Sequence, residues 1–157
     1  MIEVVSPQFV YRRVRVADTD ALFDRIGADL HAAGRVRPTF VDGLKSRESR
    51  YPTGIPVSGG VAIPHTDAEH VLHDTIAVAT LAEPVSFGSM GGGDQDVAVA
   101  TVFLLALHDP SQHMTFLPRV VKGLQDEAFV QELHAAGAVE EIAERVAHAF
   151  ASAEGLR

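Results

Sequence analysis

The stretch YPTGIPVSGGVAIPHT, Tyr51 to Thr66, sets a Pro-Thr-Gly turn, a second glycine pair and a short apolar run ahead of a proline and a histidine. Val61, Ala62 and Ile63 predict a short buried strand. Pro64 has no N–H to give to a sheet ladder, so it is expected to end that strand. His65 is then held at a strand terminus, where α/β proteins place their sites, and is expected to stand exposed there. A neutral imidazole is a good nucleophile near pH 7 because its pKa is about 6.5. The plain alternative is a histidine that bonds a backbone carbonyl at a strand end.

Working outward, Asp18, Thr19 or Asp20 can cap a helix whose apolar face is Leu22, Phe23, Ile26 and Leu30, with Gly34 as its stop. Pro38 suits the first turn of a second helix carrying Phe40, Val41 and Leu44, which must end before Pro52. Thr75 to Leu81 predicts another strand. Gly91, Gly92 and Gly93 mark a mobile loop. Val97 to Leu107 is apolar without alternation, which suits a central strand covered on both faces. In DPSQHMTFLPRVVKGL, Asp109 to Leu124, an N-cap, a first-turn proline and Gln112 signal a helix start. Leu117, Val120, Val121 and Leu124 give that helix its apolar face, and Pro118 is expected to kink it or delay its start. Two more helical stripes follow: Phe129, Val130 and Leu133, then Val139, Ile142, Val146 and Phe150. Helices that precede, separate and follow buried strands predict an α/β fold, a three-layer sandwich in which a mixed β-sheet is flanked by helices on both faces.

A chain of 157 residues fits one domain, 1–157, with a core at about 19–150. A formal net charge of −8 and the absence of any Lys/Arg run exclude a phosphate-tracking nucleic-acid surface and suit a basic protein partner. With no cysteine there is no disulfide, no thiolate nucleophile and no thiolate zinc site. The N-terminus lacks the pattern of a signal peptide, and the longest apolar run, Val97 to Leu107, is about half a membrane span. A cytoplasmic protein without direct membrane insertion is expected.

His65, Asp67, His70, His73 and Asp74 cluster in the sequence, so a zinc site is the natural rival to nucleophilic chemistry. Their spacing matches no motif such as H-E-x-x-H, and the expectation is that no metal and no cofactor is bound. Solvated loop positions are the plain reading of His70 and His73. His113 falls on the inner side of its helix, either as a core histidine or as a second imidazole aimed at the site. The glycine-rich SMGGGDQD, Ser89 to Asp96, lacks the Lys-Ser/Thr of a phosphate-binding loop and reads as a flexible connection.

Taken in order, SRESRYPTGI, VAIPH and QHMTFLPRVVKGL resemble the enzyme IIA domain of the fructose–mannitol class of the bacterial sugar phosphotransferase system. The resemblance spans Thr19 to Phe150. YPTGI with IPHTDAEHV is closer to the galactitol-like branch, which points to a sugar or polyol. Thr66 stands where most members have glycine, and Ile55 to Gly60 is slightly longer than in mannitol-type members. The resemblance implies that His65 accepts a phosphoryl group from the histidine-containing phosphocarrier protein and passes it to enzyme IIB of a membrane permease. It places the supporting arginine at Arg47 and the second histidine at His113. Arg47 offers a planar fork to phosphate oxygens, and Thr66 could add a further bond. A regulatory module of the same fold, as in the nitrogen-related branch, is the alternative.

Overall fold

The computed structural model describes residues 5–151. Five strands, β1 (Val10–Val14), β2 (Gly54–Ile55), β3 (Val61–Ala62), β4 (Thr75–Phe87) and β5 (Val97–Ala106), form one mixed sheet in the order β1-β4-β5-β3-β2. β1 runs parallel to β4, and β3 runs parallel to β5; the other two pairings are antiparallel. Five helices cover it: α1 (Thr19–Ala32), α2 (Phe40–Arg50), α3 (Pro110–Leu124), α4 (Glu127–Ala135) and α5 (Val139–Ala151).

Strand alternation builds the two cores. Val102, Leu104 and Ala106 of β5, with Ala77, Ala79 and Leu81 of β4, pack against Leu22, Phe23, Ile26 and Leu30 of α1 and Phe40 and Leu44 of α2. On the opposite face, Phe103, Leu105, Ile76, Val78 and Val61 meet Phe116, Val120 and Leu124 of α3, Leu133 of α4, and Ile142, Val146 and Phe150 of α5. Two buried faces explain why β5 reads as an unbroken apolar run. The expected three-layer α/β arrangement is therefore observed.

The caps follow the sequence. The Asp18 carboxylate accepts from the Ala21 N–H, and the α1 C-terminus closes at Gly34, whose φ is +74°. Asp109 caps α3 by accepting from the Ser111 N–H at 2.9 Å. α3 starts on time and carries Pro118 inside it, so the expected delay does not occur. Only the N–H bond back to residue 114 is lost, and Met114 is on the solvent side. Phe116, rather than Leu117, is the fully packed residue of that turn. Pro38 lies ahead of α2 rather than in its first turn, within a turn closed by the Phe40 N–H to the Arg37 carbonyl.

Three features were not expected. β1, VYRRV, adds an edge strand, and Phe9, Val10, Tyr11 and Val14 join the packed interior ahead of Thr19. Its two arginines break the alternation that would have marked it, and Arg13 has φ +52°. β4 continues past Leu81 to Phe87 through an irregular stretch between Thr80 and Val85, where Pro84 is exposed and pairing lapses. β2 is too short to show a period.

Candidate functional site

The glycine pair of Tyr51–Thr66 sets the entry into β3. Gly60 has φ +93°, and a Cβ there would collide with the Ala98 carbonyl, while the Gly60 carbonyl accepts from the Ala100 and Thr101 N–H groups. β3 therefore lies flat against β5. It closes at Ala62, one residue earlier than expected, but the alignment does not stop at Pro64. The Pro64 carbonyl accepts from the Leu105 N–H at 3.0 Å, and His65 forms an isolated bridge with Leu105. Proline removes one donor without turning the chain away from the sheet.

His65 follows β3, and His113 lies in the first turn of α3, which follows β5. The carboxyl ends of two adjacent parallel strands thus deliver both imidazoles to one place. Their ring centroids are 5.7 Å apart at an interplanar angle of 65°. Contrary to expectation, His65 is buried, only 8% exposed. Its Nδ1 is 2.8 Å from the Ile63 carbonyl. A carbonyl can only accept, so Nδ1 carries the hydrogen and a neutral His65 has its lone pair on Nε2. Burial holds the His65 pKa below the usual imidazole value. The Arg47 and His113 charges push the same way, and the Ile63 carbonyl and Asp67 oppose them.

His113 is partly buried, and its Nε2 is buried without a hydrogen-bond partner. Burial and then Arg47 lower its pKa. The Leu107 carbonyl and the Asp67 and Asp74 carboxylates favour the protonated ring.

Arg47 comes from the last turn of α2. Its guanidinium carbon lies 5.3 Å from the centre of the Tyr51 ring, and Nη1 is 3.6 Å from Asp67 Oδ1. Its Nε is buried without a partner. The next residue, Glu48, accepts from both the Thr53 N–H at 2.7 Å and the Thr53 hydroxyl at 3.0 Å. That clamp ties the end of α2 to the turn before β2, and so fixes the backbone from which Arg47 projects. Thr66 is buried with its hydroxyl against α2, 2.9 Å from where a Cβ on Gly43 would stand. Gly43 lets α2 approach the His65 segment this closely.

The rest of the histidine–aspartate cluster disperses. His70 Nδ1 is hydrogen-bonded to the Thr39 hydroxyl at 2.7 Å, and Asp74 accepts from the His108 N–H. Among the described residues no three His, Asp or Glu side chains gather as a metal-ligand set. Sequence reasoning gave no role to Tyr51, to Glu48 as a clamp, or to Asp67 as a partner of Arg47. The adjacency of Arg47-Glu48 to Pro52-Thr53 was the available signal for the clamp.

The sequence matches the family described as "Phosphoenolpyruvate-dependent sugar phosphotransferase system, EIIA 2" over residues 3–149. It is 31% identical over 126 residues to the galactitol-specific EIIA component of the phosphotransferase system of Escherichia coli (strain K12), covering 80% of this chain and 83% of that one. The fold is that of the Escherichia coli enzyme IIAMTL solved in complex with phosphorylated enzyme IIBMTL, at TM-score 0.75 and 22% identity, over 92% of this chain and 97% of that one. It is also that of the nitrogen regulatory protein IIA-Ntr from Neisseria meningitidis, at TM-score 0.72 and 22% identity, over 91% and 96%. The chain belongs to the EIIA 2 family of the phosphoenolpyruvate-dependent sugar phosphotransferase system.

Proposed function

We propose that this protein is a phosphotransferase component that accepts a phosphoryl group on His65 Nε2 from the histidine-containing phosphocarrier protein and passes it to enzyme IIB for uptake of a sugar or polyol. The observation that carries this reading is the Nδ1 hydrogen of His65 donated to the Ile63 carbonyl, which aims a lone pair from Nε2. As the phosphorus–nitrogen bond of the donor breaks, the bond to Nε2 forms. The ring keeps its Nδ1 hydrogen and becomes cationic, and the Ile63 carbonyl stabilises that charge. Phosphoryl transfer asks for position and charge stabilisation more than for covalent help, and a histidine-to-histidine exchange calls for no metal. Arg47 and His113 each hold an unpartnered ring or guanidine nitrogen beside it for the phosphate oxygens. Thr66 buttresses the His65 segment through its packing on α2.

The surroundings suit a protein as donor and acceptor. Met114, next in the chain to His113, is 81% exposed, and Tyr51, stacked on Arg47, is 62% exposed. Both side chains stand exposed beside residues of the site, where a protein partner would meet them. The galactitol-specific relative supports a polyol such as galactitol as the transported class. No helix among the described residues is long and apolar enough to cross a membrane. We place the protein in the cytoplasm, where phosphoenolpyruvate is available, as one domain over residues 1–157. The nitrogen regulatory relative in fold keeps a phosphorylation-switched regulator as the second reading. Exchange with an enzyme IIB separates the two.

Incubation with phosphoenolpyruvate, enzyme I and the phosphocarrier should load one acid-labile, base-stable phosphate, found on Nε2 by phosphorus–nitrogen NMR. Loading of a His65→Gln protein would overturn the assignment.

A further inference from the structure

Asp67 stands two residues beyond His65, and its carboxylate pairs with Arg47, 3.6 Å from Nη1. It occupies the N-cap position of a 3₁₀ turn, Ala68–His70, yet makes no capping hydrogen bond, so local structure does not require its side chain. Its charge acts on both imidazoles, opposing Arg47 at His65 and at His113. Arg47 meanwhile keeps a buried Nε with no partner.

Resting on the reading of His65 as phosphoryl acceptor, we infer that Asp67 is a positioning residue that holds Arg47 while His65 is empty and yields it to the phosphate when His65 is loaded. A carboxylate beside the phosphoryl group repels it and competes for the same guanidinium. Both effects make the phosphorylated form less stable than it would be with Arg47 unencumbered. A carrier that must give up what it accepts gains from this, since a phosphate held too tightly is not passed on. Asp67 thus sets the transfer potential of the protein without touching the nitrogen that reacts. No bond to Asp67 forms or breaks; the phosphorus–nitrogen bond to the donor is exchanged for one to His65 as above, and Arg47 changes its anion.

The experiment is the equilibrium ratio of phosphorylated to free protein against a buffer of phosphorylated and free phosphocarrier, for wild type, Asp67→Asn and Asp67→Glu. The pair is half exposed, so the ratio should rise about two- to fivefold in Asp67→Asn, and the equilibrium for onward transfer to enzyme IIB should fall by the same factor. Asp67→Glu should return most of the wild-type ratio. In an Arg47→Gln background the Asp67→Asn shift should shrink, because only direct repulsion remains. A merely structural role would change the folded fraction, not this ratio. Wild-type protein that takes up no phosphate overturns the functional reading and this inference with it. Wild-type uptake with an unchanged Asp67→Asn ratio, or a full-sized shift without Arg47, overturns the inference alone.

Discussion

His113 holds a buried Nε2 without a hydrogen-bond partner, and its ring meets that of His65 edge to face with centroids 5.7 Å apart. A phosphate oxygen only accepts, and a protonated His113 offers it a hydrogen from Nε2 whichever tautomer the neutral ring adopts. The pKa of His113 lies below the usual value in the empty site and should rise when a dianion arrives, because an opposite charge favours the protonated ring. A nitrogen-15 NMR titration of the free and phosphorylated protein should show that upward shift. His113→Ala should still accept phosphate from the carrier, with onward transfer changed more, by about tenfold for one charge-assisted bond. Lower thermal stability with both half-reactions unchanged would make His113 structural.

Arg47→Lys keeps the charge but loses the planar fork, the stacking on Tyr51 and the inward Nε. The melting temperature should stay near wild type, while transfer slows by an amount worth ~1–3 kcal/mol. Stopped-flow transfer from the phosphorylated carrier checks this, and equal rates would remove Arg47 from the site.

His65 should remain a nucleophile at lower pH than an ordinary histidine. Burial is the largest cause of its depressed pKa, so the acid limb of phosphate acceptance should lie below about 6.5. The same depression ties stability to pH. An unfolded chain protonates this ring at about 6.5 and the folded one only below that, so stability is full above 6.5 and is lost as pH falls toward the folded value. Chemical denaturation across that window should show a shallower acid loss for His65→Gln than for wild type.

Gly43→Ala sets two effects against each other. Alanine favours the helix by about 0.5–1 kcal/mol. The new Cβ, however, would stand 2.9 Å from the Thr66 hydroxyl and 3.0 Å from the His70 ring, in the segment that carries His65. Stability should change little, while the rate of phosphorylation falls several-fold. A wild-type rate would show that this contact does not position His65.

The chain by itself determined the local grammar of this protein. Asp18, Gly34 and Asp109 mark helix ends because capping is decided by neighbouring backbone groups. The apolar run Val97 to Leu107 announced a strand buried on both faces, and with it the layered architecture. His65, Arg47 and His113 were legible as a set through their order, not through any spacing that composition explains. What lay beyond the sequence depends on partners distant along the chain. β1 is a strand because β4 supplies its ladder, although two arginines mask its pattern. His65 is buried rather than exposed because β5 continues beside it past Pro64 and α3 brings His113 over it. The tautomer that leaves a lone pair on Nε2 comes from a carbonyl only two residues away, yet it needs the backbone path that β5 imposes. The hold of Asp67 on Arg47 joins residues twenty positions apart, where α2 closes on the sheet, and only the folded chain brings those charges together.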